Sequence, residues 1–127
     1  MNFSVVCLIG IITALPFGAA FALAPETASA LFGITGWNAG TTGIARLFGT
    51  ELLYVAAALF AVRGVTDREV QRRFAIGFGL ASALAIFILI QAIISGAVNA
   101  MTWSSVAIYA FFAAAWASVA VRRDKLV

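Results

Sequence analysis

Arg46 and Glu51 stand five residues apart in ARLFGTELLYVAA (residues 45–57), a stretch whose other side chains are apolar, small or hydroxylic. A carboxylate near a guanidinium can carry a proton, bind a ligand or clamp two helices in register. In a bilayer either charge costs about 2.5–3.5 kcal/mol at a helix centre, so such a pair has to be compensated. Five residues correspond to roughly 140° around a helix, so Arg46 and Glu51 do not pair along one face. Arg46 lowers its cost by snorkelling. Glu51, deeper in the run, should face protein or water, pair with Arg46 or Tyr109, or be protonated.

Other polar side chains fall at matching depths. Counted at about 1.5 Å per residue, Arg46 lies roughly 6 Å and Glu51 roughly 13 Å below one end of their run. Gln91 lies roughly 6 Å and Tyr109 roughly 9 Å below the same level in later runs. Asn99, Ser104 and Ser105 lie above Tyr109. The expectation is a polar cluster or pocket of Arg46, Glu51, Gln91, Asn99, Ser104, Ser105 and Tyr109 in one half of a bundle. It reads either as a proton- or ligand-linked site or as a packed clamp.

Beyond these residues the chemical repertoire is thin. The chain has no histidine and one cysteine, Cys7. Zinc motifs, haem attachment by C-x-x-C-H and histidine-based triads are therefore missing. A lone cysteine closes no intramolecular disulfide, and Cys7, in an apolar run, reads as a packing residue. No metal site, cofactor or catalytic residue is expected.

The elements that must position the cluster follow from composition. Of 127 residues, 64% are hydrophobic and 10% charged, against roughly 45–50% and about 25% in a soluble domain. So short a chain cannot bury that much apolar surface behind a water-facing shell. Four apolar runs are each about 21 residues, or roughly 31 Å as helix, matching a hydrocarbon core of about 30 Å. Backbone groups in lipid must be satisfied internally, and there is no period-two alternation as in a membrane barrel. The expected fold is all-α: one domain, 1–127, an integral membrane four-helix bundle with helices about 3–24, 42–63, 73–95 and 101–121. Pro25, Glu26 and Gly33 predict a short interfacial helix over 25–32, with proline at its first position, an acid at its positive end and glycine at its stop.

The first run could be taken for a signal peptide, because Ala22-Leu23-Ala24 resembles a cleavage site. No Lys or Arg precedes the run, Pro25 follows at once, and the run is long for a signal, so a transmembrane helix is expected. Pro16 should kink it. Small residues repeat at i+4 in Ala45/Gly49, Gly77/Ala81/Ala85 and Ala110/Ala114/Ser118, the spacing of close helix seams in lipid.

Arg63, Arg68, Arg72, Arg73, Arg122, Arg123 and Lys125, seven of eight basic residues, fall on one side of the four runs. The positive-inside rule puts that side in the cytoplasm, so both termini are expected there. The net charge of +3 thus belongs to a membrane edge. It does not form a nucleic-acid groove.

Arg46, Leu47 and Gly49 opening the second run, Gln91 near the end of the third, Gly96 and Asn99 in the turn, and Trp103-Ser104 opening the fourth form a wider pattern. Over residues 43–121 it resembles the small bacterial four-helix membrane proteins of the DoxX-like type. Some of that type are subunits associated with quinone-reducing membrane complexes. The resemblance implies a bacterial inner membrane and brings no catalytic residue; the lack of catalytic motifs and the short loops fit an accessory or scaffold protein with no chemistry of its own. The expected partners are membrane lipid, quinone, other membrane subunits or further copies of the chain. The alternative is a small dimeric proton-coupled transporter working through Glu51. An enzyme with Glu51 as acid or base fits less well, because such sites converge several titratable groups.

Overall fold

In the computed structural model, residues 1–122 are described; Arg123 and Lys125 of the basic group lie outside them. Among the described residues there are five α-helices and no strand: α1 (Phe3–Leu23), α2 (Pro25–Ala30), α3 (Ala39–Val62), α4 (Arg68–Ile94) and α5 (Thr102–Ala120). The four longer helices are long and apolar enough to cross a membrane. Their outward surfaces carry exposed Ile12, Leu47, Leu80 and Phe111, the arrangement expected of helices solvated by lipid. The all-α, four-helix architecture is as the composition requires.

Local chemistry explains where the helix ends depart from the apolar runs. α3 begins three residues ahead of the expected 42 because Asn38 and Thr41 close a capping box: the Asn38 side chain accepts from Gly40 N at 2.9 Å and Thr41 N at 3.1 Å. α4 begins five residues ahead of 73 because Asp67 caps it, accepting from Glu69 N and Val70 N. A hydrogen-bonding cap stabilises the first turn whatever the hydropathy of that turn. α2 stops at Ala30, short of the expected 32, and a tight turn follows. There Ile34 N–H reaches back to Ser29 O and Gly33 takes φ +77°, the left-handed stop that glycine permits. α1 runs through Pro16 as one helix.

The helices form two hairpins. α1 packs closely on α3, and α4 on α5; between the hairpins the main contact is α1 with α5. Glycine lets the first pair approach to backbone distance. A β-carbon at Gly49 would collide with Ala22 N and would lie 2.7 Å from Gly18 O and 2.8 Å from Phe21 C. The matching small residues on α1 are Gly10, Ala14 and Gly18, all buried and four apart. Lipid supplies no hydrophobic force between helices, so such close van der Waals approach holds them together.

The hairpins meet at the end that carries the basic residues. Phe3, Val6, Cys7, Leu59, Ala75, Ala115, Trp116 and Val119 form one buried cluster there. Trp116 is its hub, with ring centroids of Phe3, Phe74 and Phe78 at 6.0, 5.9 and 5.6 Å. Cys7 is fully buried in this cluster. Arg68 donates to Val119 O at 2.6 Å and to Arg122 O, so a cation at the start of α4 satisfies carbonyls left open at the end of α5. The Met1 amine donates to Ser118 Oγ at 3.1 Å, which fixes the start of α1 beside the same helix end.

Candidate functional site

Away from the basic end, the two hairpins enclose a cavity of about 660 Å³. This is within the roughly 300–1,000 Å³ range of small-molecule sites. Each helix presents one face to it at helical spacing. α3 contributes Thr41, Ala45, Phe48, Leu52, Val55 and Leu59, and α4 contributes Phe78, Ala81, Ser82 and Ala85. α3 and α4 are joined by residues 63–67 yet lack close packing along their lengths. The cavity is therefore flanked by an unsealed seam between them.

α5 carries the most graded wall. Thr102, Ser105, Tyr109, Phe112 and Trp116 share one face. Hydroxyls stand at the far end and aromatic rings at the basic end. The Ser105 and Tyr109 hydroxyls have no hydrogen-bond partner among the described residues, and the buried Thr102 Oγ1 has none either. A buried hydroxyl without a partner costs about 1–3 kcal/mol, so these groups are available to a ligand acceptor. Trp37 also lines the cavity, as do Phe32 and Phe48, whose rings both pack on Phe21. The opposite end is floored by Leu59, Phe78 and Trp116.

Of the seven side chains expected to converge, the structure brings Ser105 and Tyr109 together on this wall. Arg46 is exposed and lines a separate polar groove of about 230 Å³ with Glu26, Thr27 and Thr42. Glu51 is exposed on the outward side of α3, with no partner among the described residues. Gln91 is exposed near the end of α4 and lies off the cavity wall. Ser104 is exposed and donates to Met101 O at 2.7 Å. The rotation of each helix decides these placements: α3 turns Thr41, Ala45 and Phe48 inward, which sends Arg46 and Glu51 elsewhere.

Asn99 clasps the two hairpins at the far end. Its backbone N–H donates to Phe32 O at 2.9 Å, and its Nδ2 donates to Leu31 O at 3.0 Å. Its Oδ1 accepts from Met101 N at 3.0 Å. Gly33 makes room for it: a β-carbon there would stand 3.0 Å from Asn99 Cβ. Gly96, at φ +72°, turns the chain just before it.

Comparison with family models, with curated proteins and with solved structures returns no match to this chain. The cavity must therefore be read from its own chemistry.

Sequence reasoning missed the aromatic floor and the α1 seam. The signal for the seam was present as Gly10-x₃-Ala14-x₃-Gly18, the same spacing noted on the other helices. The Gly77/Ala81/Ala85 repeat serves otherwise than as a seam: Gly77 has open space around its α-carbon, and Ala81 and Ala85 form cavity wall. Ala110 and Ala114 are exposed.

Proposed function

We propose that the chain is a multi-pass protein of a bacterial inner membrane with both termini cytoplasmic, and that its cavity holds one amphiphile. The amphiphile is of the class that joins a carbonyl-bearing head to an apolar tail, quinone being the leading example and a lipid acyl ester the other source of that chemistry. The reading is supported above all by the α5 wall. Unpartnered hydroxyls at Ser105 and Tyr109 stand where a head would sit, and apolar and aromatic side chains continue from there to Trp116. Hydroxyls donate to carbonyl oxygens and rings and methylenes pack on a tail, so the gradient favours one ligand orientation. The unsealed seam between α3 and α4 is a lateral route from the bilayer.

Orientation rests on Arg63, Arg68, Arg72, Arg73 and Arg122 at one end and on the scarcity of Lys and Arg at the other. In this orientation the head is held near the outer leaflet and the tail points inward. The role is that of a lipid- or quinone-holding accessory protein, in keeping with the DoxX-like resemblance. The alternative through Glu51 gains no geometric support, because that carboxylate is off the cavity wall.

The test is extraction of the protein from its own membrane in a mild detergent, followed by mass spectrometry of what remains bound. Wild type should retain one amphiphile, identified as quinone or lipid by mass. Ala85→Phe should lose most of it by filling the cavity. Thr102→Val should weaken it about 3–10-fold, the worth of roughly one hydrogen bond. Lipids in bulk proportions, equally retained by Ala85→Phe, would overturn the reading.

A further inference from the structure

α3 carries two charges off its cavity-facing side, Arg46 at the edge of the polar groove beside α2 and Glu51 on the outward side. Arg46 and Glu51 are exposed, and neither guanidinium nor carboxylate has a partner among the described residues. Between them on the same outward side, Gly43, Leu47, Thr50, Tyr54, Ala57 and Ala61 are all exposed. Their spacings run four, three, four, three, four. That is the seam of a two-stranded helical pair, with two contact positions in every seven residues. It includes the small residues Gly43, Ala57 and Ala61, which permit close approach in lipid.

The charges occupy the flanks of this seam. At about 100° per residue, Arg46 lies roughly 70° to one side of the seam centre and Glu51 roughly 70° to the other. Two copies in one membrane with the same orientation, related by a two-fold axis along the bilayer normal, bring parallel α3 helices face to face. The rotation sets the Arg46 flank of each copy against the Glu51 flank of the other. Five residues, about 7.5 Å along the axis, is the offset at which such flanking positions pair across a parallel coiled coil. The face is thus complementary to itself, as an isologous interface must be.

We propose that the outward face of α3 is a homodimer interface in which Arg46 of each copy pairs with Glu51 of the other. This goes beyond the cavity and rests only on the membrane placement. It explains why the two charges that the bundle leaves unpaired sit where they do. A carboxylate near the bilayer midplane is costly when it faces lipid. One face-to-face contact of two copies compensates four such charges. Thr50 Oγ1 donates to Arg46 O at 3.0 Å, so the Thr50 hydroxyl is satisfied within α3 and asks for no partner across the seam.

Cysteines introduced one at a time, in native membranes, test the proposal without purification. Cys7 is buried at the basic end, so the unmodified chain serves as the blank. Oxidation of Leu47→Cys, Thr50→Cys and Tyr54→Cys should give a disulfide-linked species of twice the chain mass. Leu80→Cys and Leu84→Cys on α4, at 68% and 60% exposure, should give about tenfold less if α4 faces lipid. In the Leu47→Cys background, Glu51→Arg should reduce cross-linking more than about tenfold, and adding Arg46→Glu should restore most of it, as exchange of a charge pair does. The cross-linking pattern needs no charge variant and stands if Glu51→Arg fails to insert. Equal cross-linking on α4, indifference to charge reversal, or a product carrying a different chain would each overturn the proposal. Loss of the bound amphiphile with an intact cross-linking pattern would count against the cavity reading alone.

Discussion

The two ends of the bundle are held by different physics. At the basic end all four long helices converge on Trp116 and its aromatic neighbours, and the packing leaves little space. At the far end the hairpins separate around a cavity, and hydrogen bonds from the backbone N–H and side-chain amide of Asn99 span the gap. Aromatic rings fill volume and pack on one another at their edges and faces, so they close the basic end. Hydrogen bonds join two loops without filling what lies between them, so they leave room. A bundle can therefore be anchored at one end and hollow at the other.

The comparison breaks first at Trp116. Trp116→Ala should remove about 3–5 kcal/mol of stability, read as a shift in denaturant-induced loss of helicity in micelles. A loss below about 1 kcal/mol would mean that the basic end is not the anchor. Gly49→Ala should cost about 1–3 kcal/mol, because its methyl meets backbone that cannot move aside. Gly77→Ala, with open space around it, should be neutral or slightly stabilising in the same assay. Equal effects at the two glycines would remove the distinction between seam and free face. Asn99→Ala should cost about 1–2 kcal/mol and should raise amide exchange in 31–34 and 95–101 while protection around Trp116 is unchanged. Raised exchange at both ends would show one cooperative unit instead of two regions.

Much of the fold was legible because apolar run length and helix rise together dictate spans. Pro25, Glu26 and Gly33 marked α2 because their conformational effects are local. Helix starts were less legible: Asn38 extended α3 beyond its apolar run, since a cap acts through hydrogen bonds that hydropathy does not register. The candidate site was hardest to see. Polar residues were the natural candidates in so apolar a chain, and Ser105 and Tyr109 do line the cavity. The rest of its wall is small and aromatic residues, which are common throughout the sequence and carry no distinguishing signal.

Residue types and their order alone determined that the chain is helical and apolar enough for four membrane spans, with all its basic residues but Arg46 on one side of them. Those properties depend on the number and order of residue types along single helices. Only the tertiary structure decided which face of each helix turns inward. Helix rotation is set by contacts between elements: Gly49 against Gly18, Trp116 against Phe3 and Phe78, Asn99 against Leu31. Those contacts put hydroxyls on the cavity wall and turned Arg46 and Glu51 off it. In a chain that is apolar on nearly every face, hydropathy cannot distinguish the inner face from the outer, and packing does so instead.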